Sequence, residues 1–463
     1  MSLPLHVAIE ATGATTIDIE RAPHDVRVVT DTRIVLAGDT FLALRGERFN
    51  GHDYVANAAE RGAALAIIDD PSAHIPGMAT LVVRDTLGAY MALAGAARDR
   101  FEGRVLAITG STGKTTTKHF VAQMLAAHFG ELVLASPANE NNEIGVSKLL
   151  LAASNEEHDV LVIEMGARHP DDIAKLVAIA KPHLGILTNV GDAHIEIMGS
   201  RERLEEAKWA LFDTGARAVL NAGDSASLAR APSLREAPHW FIATEVDGNI
   251  PFNGRITALV GTVQLLDISS GAHRSVDVDV RVPGKHNREN LVAAAAAALE
   301  LGVALEELAA VIPDLTLPRG RYERIELVTG VTLIYDAYNA NAAGMFAALD
   351  AFAQERAQRR IALLASMAEL GEQAAELHVR VGAHAAAIKV DVLLVGGEFA
   401  GELALGASRA GLSSERIVPF VTNAQAAEWL RDHARSGDAV LLKGSRKYRL
   451  EEIVEELVSS CAR

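Results

Sequence analysis

Cysteine is almost missing from this chain: Cys461 is the only one in 463 residues. One thiol cannot close a disulfide within the chain, so stability has to come from buried apolar surface. Cations are also in deficit, with 44 Lys and Arg against 60 Asp and Glu and a formal net charge of −16. That balance argues against a general nucleic-acid binder, because a phosphate backbone calls for clustered Lys and Arg. No apolar stretch has the length of a membrane span. The opening MSLPLHVAIEATGATTIDIE carries acids where a secretion signal has a basic segment followed by an apolar core. These absences lead to the expectation of a cytoplasmic protein with no nucleic-acid partner and no membrane insertion.

What is present is the composition of an ordinary globular protein, 49% hydrophobic and 22% charged, which supports substantial cores. The length suggests about three domains. Residues 1–100 alternate short apolar runs such as FLAL (41–44) and ALAIID (64–69) with turns, the texture of a small α/β unit. RVLAIT then leads through Gly110, Ser111, Thr112 and Gly113 into KTTTKHFVAQMLAAHF, where Phe120, Val121, Met124, Leu125 and Phe129 recur at helical spacing. VLVIE (160–164), GILTNV (185–190) and AVL (218–220) read as further buried strands between helical segments. That alternation predicts a parallel sheet covered on both faces. A β-rich appendage is expected between about 251 and 282, before a helix near Asn287. Beyond the Pro318-Arg319-Gly320 turn, TLIYDA, IALLAS, DVLLVG and AVLLKG again alternate with helices, as in a Rossmann-like unit. The expected organisation is therefore α/β in three domains, 1–100, 101–317 and 318–463, the central one a parallel-sheet P-loop ATPase.

The sharpest motif is GSTGKTT at 110–116. A strand that ends in a glycine turn and opens a helix aims unpaired N–H groups at one point, where the helix dipole also favours an anion. Phosphate fits there, with Lys114 near the terminal phosphates and the Thr115 hydroxyl on Mg²⁺. The common form has another glycine five residues before Gly113, where this chain has Ile108, so the loop is a shorter variant. The bland alternative is a tight turn with a chance lysine. By itself the motif indicates a nucleotide and names no reaction.

The loop sits in AITGSTGKTTTK, which resembles the ATP loop of the Mur ligases. Other stretches resemble motifs of that family in its order: SPANENNEIGV (136–146), VIEMGARHPDDI (162–173), TNVGDAHIEIMGS (188–200), EEAKWALF (205–212) and GKHNRENLVAA (284–294). YDAYNANAAGM (335–345), SMAELGE (366–372) and KGSRKYRLEEIV (443–454) are similar to the branch that adds D-alanyl-D-alanine. TDTRIVLAGDTFLALRGERFNGHDY (30–54) resembles the uridine-nucleotide domain.

The resemblance implies a monomeric ligase that uses ATP and Mg²⁺ to join D-alanyl-D-alanine to UDP-N-acetylmuramoyl-tripeptide through an acyl phosphate, in peptidoglycan synthesis. It implies catalytic roles for Lys114, Glu164, His194 and Lys208, and a metal set of Thr115, Glu164, His194 and Lys208, with Lys208 carbamylated in the family. Nucleotide contacts are implied for 110–116, including Thr116, and for Asn287, Asn290, Arg319 and Asp336. Substrate contacts are implied for Asp31, Thr32, Arg33, Asn50, His52, Asn139 and Asn142, and for Tyr338, Asn339 and Asn341.

Plain structural readings stand beside these. Glu164 is also readable as a helix-capping or surface carboxylate, Lys208 as an exposed helix lysine pairing with Glu205 or a neighbour, Asn287 as a helix N-cap and 338–341 as a polar turn. The competing functions are a related ligase or paralogue acting on another amine, and a regulatory ATPase. The Asp-Asn-Pro-Arg motif of the neighbouring ligase is not found in this sequence, whereas Trp209, Ala337, Ala342 and the Ser147-Lys148 pair depart from the usual motifs and slightly favour a paralogue.

Overall fold

The computed structural model describes residues 2–46, 49–191, 198–242, 255–259, 262–267, 274–368 and 370–460. His194 and Cys461 lie outside the described residues. Three mainly parallel sheets follow one another along the chain, as the alternation of apolar strands and helices predicts. The first has five strands, in spatial order Thr15–Ile17, Ala79–Val82, Leu65–Ile68, Thr40–Leu42 and Val28–Val29, with only Thr15–Ile17 antiparallel.

The central sheet has six parallel strands, ordered His239–Phe241, Arg217–Asn221, Leu184–Leu187, Arg104–Thr109, Val160–Glu164 and Val133–Ala135. Its inner strands are apolar along their middles, with any polar residues at their ends, because helices cover both faces. Leu106, Ile108, Val160 and Ile186 pack beneath the helices Lys114–Phe129 and Lys285–Glu300, while Val105, Leu161 and Leu187 face the opposite core. Leu291 and the run Val292–Ala298 are buried, and such small side chains let the second helix lie close against the first. Arg104–Thr109 is flanked by Val160–Glu164 and Leu184–Leu187, so the chain reverses its direction of travel across the sheet at this strand. Such a switch point opens a crevice at the strands' carboxyl ends.

A three-stranded antiparallel sheet, Arg255–Leu259, Thr262–Asp267 and Arg274–Asp279, forms the expected appendage. The third large sheet runs Glu323–Glu326, Thr332–Tyr335, Ala439–Lys443, Arg360–Ala365, Val392–Gly396 and Ile417–Phe420, antiparallel only at its first pair. Its carboxyl ends carry Asp336 and Lys443. Among the described residues, no helix is long and apolar enough to cross a membrane.

Candidate nucleotide and metal site

The turn after Arg104–Thr109 requires glycine. Gly113 has φ 83°, and a Cβ there would collide with the Asn290 amide; a Cβ on Gly110 would collide with the Thr188 hydroxyl. The loop is clamped from the next strand's exit: the Ser111 N–H donates to the Asn189 carbonyl (3.0 Å), the Gly191 N–H donates to Ser111 Oγ (2.9 Å) and Thr188 Oγ1 donates to the Thr112 carbonyl (2.6 Å). Gly113 caps the helix Lys114–Phe129, whose first N–H groups have no carbonyl one turn back. Lys114 folds over the loop and donates to the Gly110 carbonyl at 2.8 Å. Burial pushes its ammonium below its ordinary value, Glu164 opposes that shift and Arg321 adds to it. Thr116 is buried beneath the loop.

Glu164, at the carboxyl end of its strand, is 1% exposed, which overturns the surface-carboxylate reading. Its Oε1 accepts from Thr115 Oγ1 (3.1 Å) and Asn141 Nδ2 (2.9 Å). Its Oε2 is buried with no hydrogen bond among the described residues, although Lys118 Nζ lies 3.2 Å away off the hydrogen-bonding direction. A hydroxyl beside a carboxylate oxygen with free lone pairs is a hard-oxygen donor set of the kind that suits Mg²⁺ completed by water and phosphate. Among the described residues, no group of three or more His, Cys, Asp or Glu is placed to hold a metal by itself. Lys208 is 2% exposed rather than on the surface. Burial, and then Lys114, lower its pKa to about 7.

The third sheet supplies the facing wall. Asp336 and Lys443 form a buried ion pair at 2.8 Å. Arg321 lies 4.7 Å over the Tyr338 ring, and its Nε is buried with no hydrogen-bond partner among the described residues. Asn290 Oδ1 accepts from Thr117 Oγ1 at 3.4 Å, and Asn287 Nδ2 donates to the Pro283 carbonyl. Asn287 is thus not the helix cap, a position held by Gly284.

A roomier cavity of about 610 Å³ opens at the opposite end of the central strands, lined by Arg98, Arg104, Lys181, His183, Arg217 and Glu300 among others. Arg98 is already held by the carbonyls of Ala180, Phe101 and Lys181, and Arg217 by Glu300. The crevice at the glycine turn is the better nucleotide site.

Three family models match the chain: the Mur ligase family catalytic domain over 27–93, the Mur ligase middle domain over 108–298 and the Mur ligase glutamate ligase domain over 320–446. A UDP-N-acetylmuramoyl-tripeptide--D-alanyl-D-alanine ligase of Synechocystis is 33% identical, the alignment covering 96% of this chain and 95% of the relative. The chain belongs to the Mur ligase family. The ligase of the same name from Escherichia coli is also 33% identical, over 93% of each protein. Among solved structures, MurF from Acinetobacter baumannii superposes with a TM-score of 0.85 at 28% identity over 99% of both chains. MurF from Thermotoga maritima in complex with ADP gives 0.78 at 27% identity, over 96% of this chain and 99% of that one.

In this Mur ligase, Lys114, Thr115, Glu164 and Asn290 meet at one sheet edge, with buried Lys208 within electrostatic reach of Lys114. Arg319 does not join them: it is exposed and 3.8 Å from Glu455, whereas Arg321 faces inward. Asn142 and Asn341 cap helices by accepting from Gly145 N and Gly344 N, and Asn339 bonds to the next residue's N–H. Asn139 is exposed. In the first domain Asp31 pairs with Arg33, which holds its carboxyl down to about 2, and Thr32 lies between them in the same short turn. His52 is buried with Nδ1 on Asn50 Oδ1 and Nε2 accepting from Asp69 N. Three residues at the site escaped the sequence reading: Lys118, Asn141 and Arg321. Lys118 had a signal, since it is one helical turn beyond Lys114 and Thr115.

Proposed function

We propose that this Mur ligase adds D-alanyl-D-alanine to UDP-N-acetylmuramoyl-tripeptide at the expense of ATP, in cytoplasmic peptidoglycan precursor synthesis. What carries the reading is the meeting of the phosphate loop, Glu164 and Arg321, in a chain that aligns over nearly its whole length with ligases of that name. Residues 1–100 are assigned to the uridine nucleotide, through Asp31, Thr32, Arg33, Asn50 and His52. Residues 101–317 are assigned to ATP, and 318–463 to the incoming dipeptide, through Tyr338, Asn339 and Asn341.

Joining a carboxylate to an amine in water is uphill, so the carboxylate has to be activated first. Two anions then approach one another, and the protein's task is positioning and charge neutralisation. The loop amides, Lys114 and Arg321 hold the triphosphate. Asn287 and Asn290 are assigned to the base, and Asp336 to the ribose. Thr115 and Glu164 would be the oxygen donors for Mg²⁺, and Lys208 and His194 are assigned to the same metal set; the ion, when bound, would offset charge on the phosphates. A carboxylate oxygen of the tripeptide attacks the γ-phosphorus, the bond to the bridging oxygen breaks, and ADP and an acyl phosphate form. The free amine of the dipeptide attacks the acyl carbon, phosphate leaves with the electron pair and the amine's proton passes to solvent. Asn139 and Asn142 lie in the loop assigned to the peptide end.

The test is product identity. Protein incubated with ATP, Mg²⁺ and both substrates is expected to yield a UDP-linked pentapeptide, detected by mass spectrometry. Recovery of unchanged tripeptide refutes the reading.

A further inference from the structure

Lys118 has no part in the mechanism above, yet its side chain is 6% exposed and lies against Glu164, itself 1% exposed. It projects from the helix that begins at Lys114, one turn beyond Thr115. Its Nζ is 3.2 Å from Glu164 Oε2 and donates a hydrogen bond to the Ala138 carbonyl. Ala138 holds a left-handed backbone conformation, φ 42°, that non-glycine residues rarely adopt. The same loop sends Asn141 Nδ2 to Oε1, while Ser136 Oγ accepts from the Glu164 backbone N–H at 3.1 Å. Lys118 thus ties the phosphate helix, the carboxylate and the 136–142 loop at one buried point.

Charge gives the arrangement its consequence. Among the described residues, Lys114 and Lys118 place two ammonium groups near one carboxylate in a buried region, and Arg321 adds to the positive side, so without nucleotide their sum is positive. A divalent cation on Oε2 would meet Lys118 within a few ångströms, where repulsion is weakly screened. A triphosphate reverses the sign of the site. We propose that Lys118 is a charge-gating residue. It serves as resident counter-ion of Glu164 in the nucleotide-free protein and restricts divalent metal to entry together with the nucleotide. This rests on the assignment of Glu164 to the metal.

The test reads metal binding directly. The full-length protein is titrated with Mn²⁺ alone and with Mn²⁺ plus ADP, free Mn²⁺ being followed by electron paramagnetic resonance and corrected for the Mn²⁺–ADP complex that forms without protein. The wild type is expected to bind Mn²⁺ at least about tenfold more tightly with ADP than without. Lys118→Met, and Lys118→Gln as a polar alternative should the first not fold, are expected to bind Mn²⁺ without nucleotide at least about tenfold more tightly than the wild type. Lys118→Arg, which keeps the charge, is expected to match the wild type. Tight Mn²⁺ binding by the nucleotide-free wild type, or unchanged binding in the neutral variants, overturns the proposal. Ligase assays in parallel separate the two readings: pentapeptide formation alongside a flat Mn²⁺ response sinks the gating role alone, and the reverse pattern sinks the ligase assignment alone.

Discussion

Lys443 donates to the Asp336 carboxylate at 2.8 Å and to the Asp336 backbone carbonyl at 3.1 Å, tying together the carboxyl ends of two adjacent parallel strands. Both side chains are almost wholly buried, so neither charge has water to fall back on. Asp336→Ala leaves the ammonium uncompensated and is expected to cost about 3–5 kcal/mol of stability. Urea unfolding measures this, and a loss below about 1 kcal/mol, the scale of an exposed pair, contradicts it.

Gly113→Ala is expected to remove nucleotide binding. Its φ of 83° costs an L-residue about 1–2 kcal/mol, and the added methyl is driven into Asn290. Calorimetry with ADP should show binding lost while circular dichroism stays near that of the wild type; retained affinity would show that the loop tolerates a shape the structure excludes.

The two arginines that flank Gly320 separate cleanly. Arg321→Ala is expected to lower kcat about 10²–10³-fold, as for loss of one donor to developing charge. Arg319→Ala, which gives up only an exposed 3.8 Å contact with Glu455, should leave kcat near the wild-type value. Steady-state rates for both variants decide it, and the opposite ranking would place the phosphates elsewhere.

Lys208 carries a pH signature. Burial lowers its folded pKa from 10.5 to about 7, so between those values the unfolded chain holds the extra proton. Stability from this group is full above 10.5, is lost as pH falls and is lowest below 7. Lys208→Met removes the titration, so its stability advantage over the wild type is expected to be largest below pH 7 and to shrink as pH rises. Thermal melts across that range check it; a difference flat with pH contradicts a free buried amine.

The parts of this site that sequence made legible are local. The glycine turn, Lys114 and Thr115 are contiguous, and the apolar strand before them fixes where they point. Glu164 was legible for the same reason, as the last residue of a buried strand. What stayed hidden depends on which way a loop turns. Of the asparagines at 139, 141 and 142, only Asn141 reaches Glu164; Asn142 is used as a cap. Arg319 and Arg321 differ by two positions, and the left-handed residues Gly320 and Tyr322 decide which faces the crevice. Asn142 and Asn341 also serve as helix caps, accepting from Gly145 N and Gly344 N, a role the sequence reading did not assign to them.

A pocket at 110–116 that uses ATP only to energise a carboxyl group for capture by an amine has to be idle unless both reacting partners are present. Phosphate release by the purified protein measures this most directly, with ATP and Mg²⁺ present and each of the other two substrates supplied or withheld. Sustained release is predicted only when UDP-N-acetylmuramoyl-tripeptide and D-alanyl-D-alanine are both present, and Lys114→Ala should abolish it without unfolding the protein. Equal release with either substrate omitted would show an ATPase that does not couple hydrolysis to amide formation.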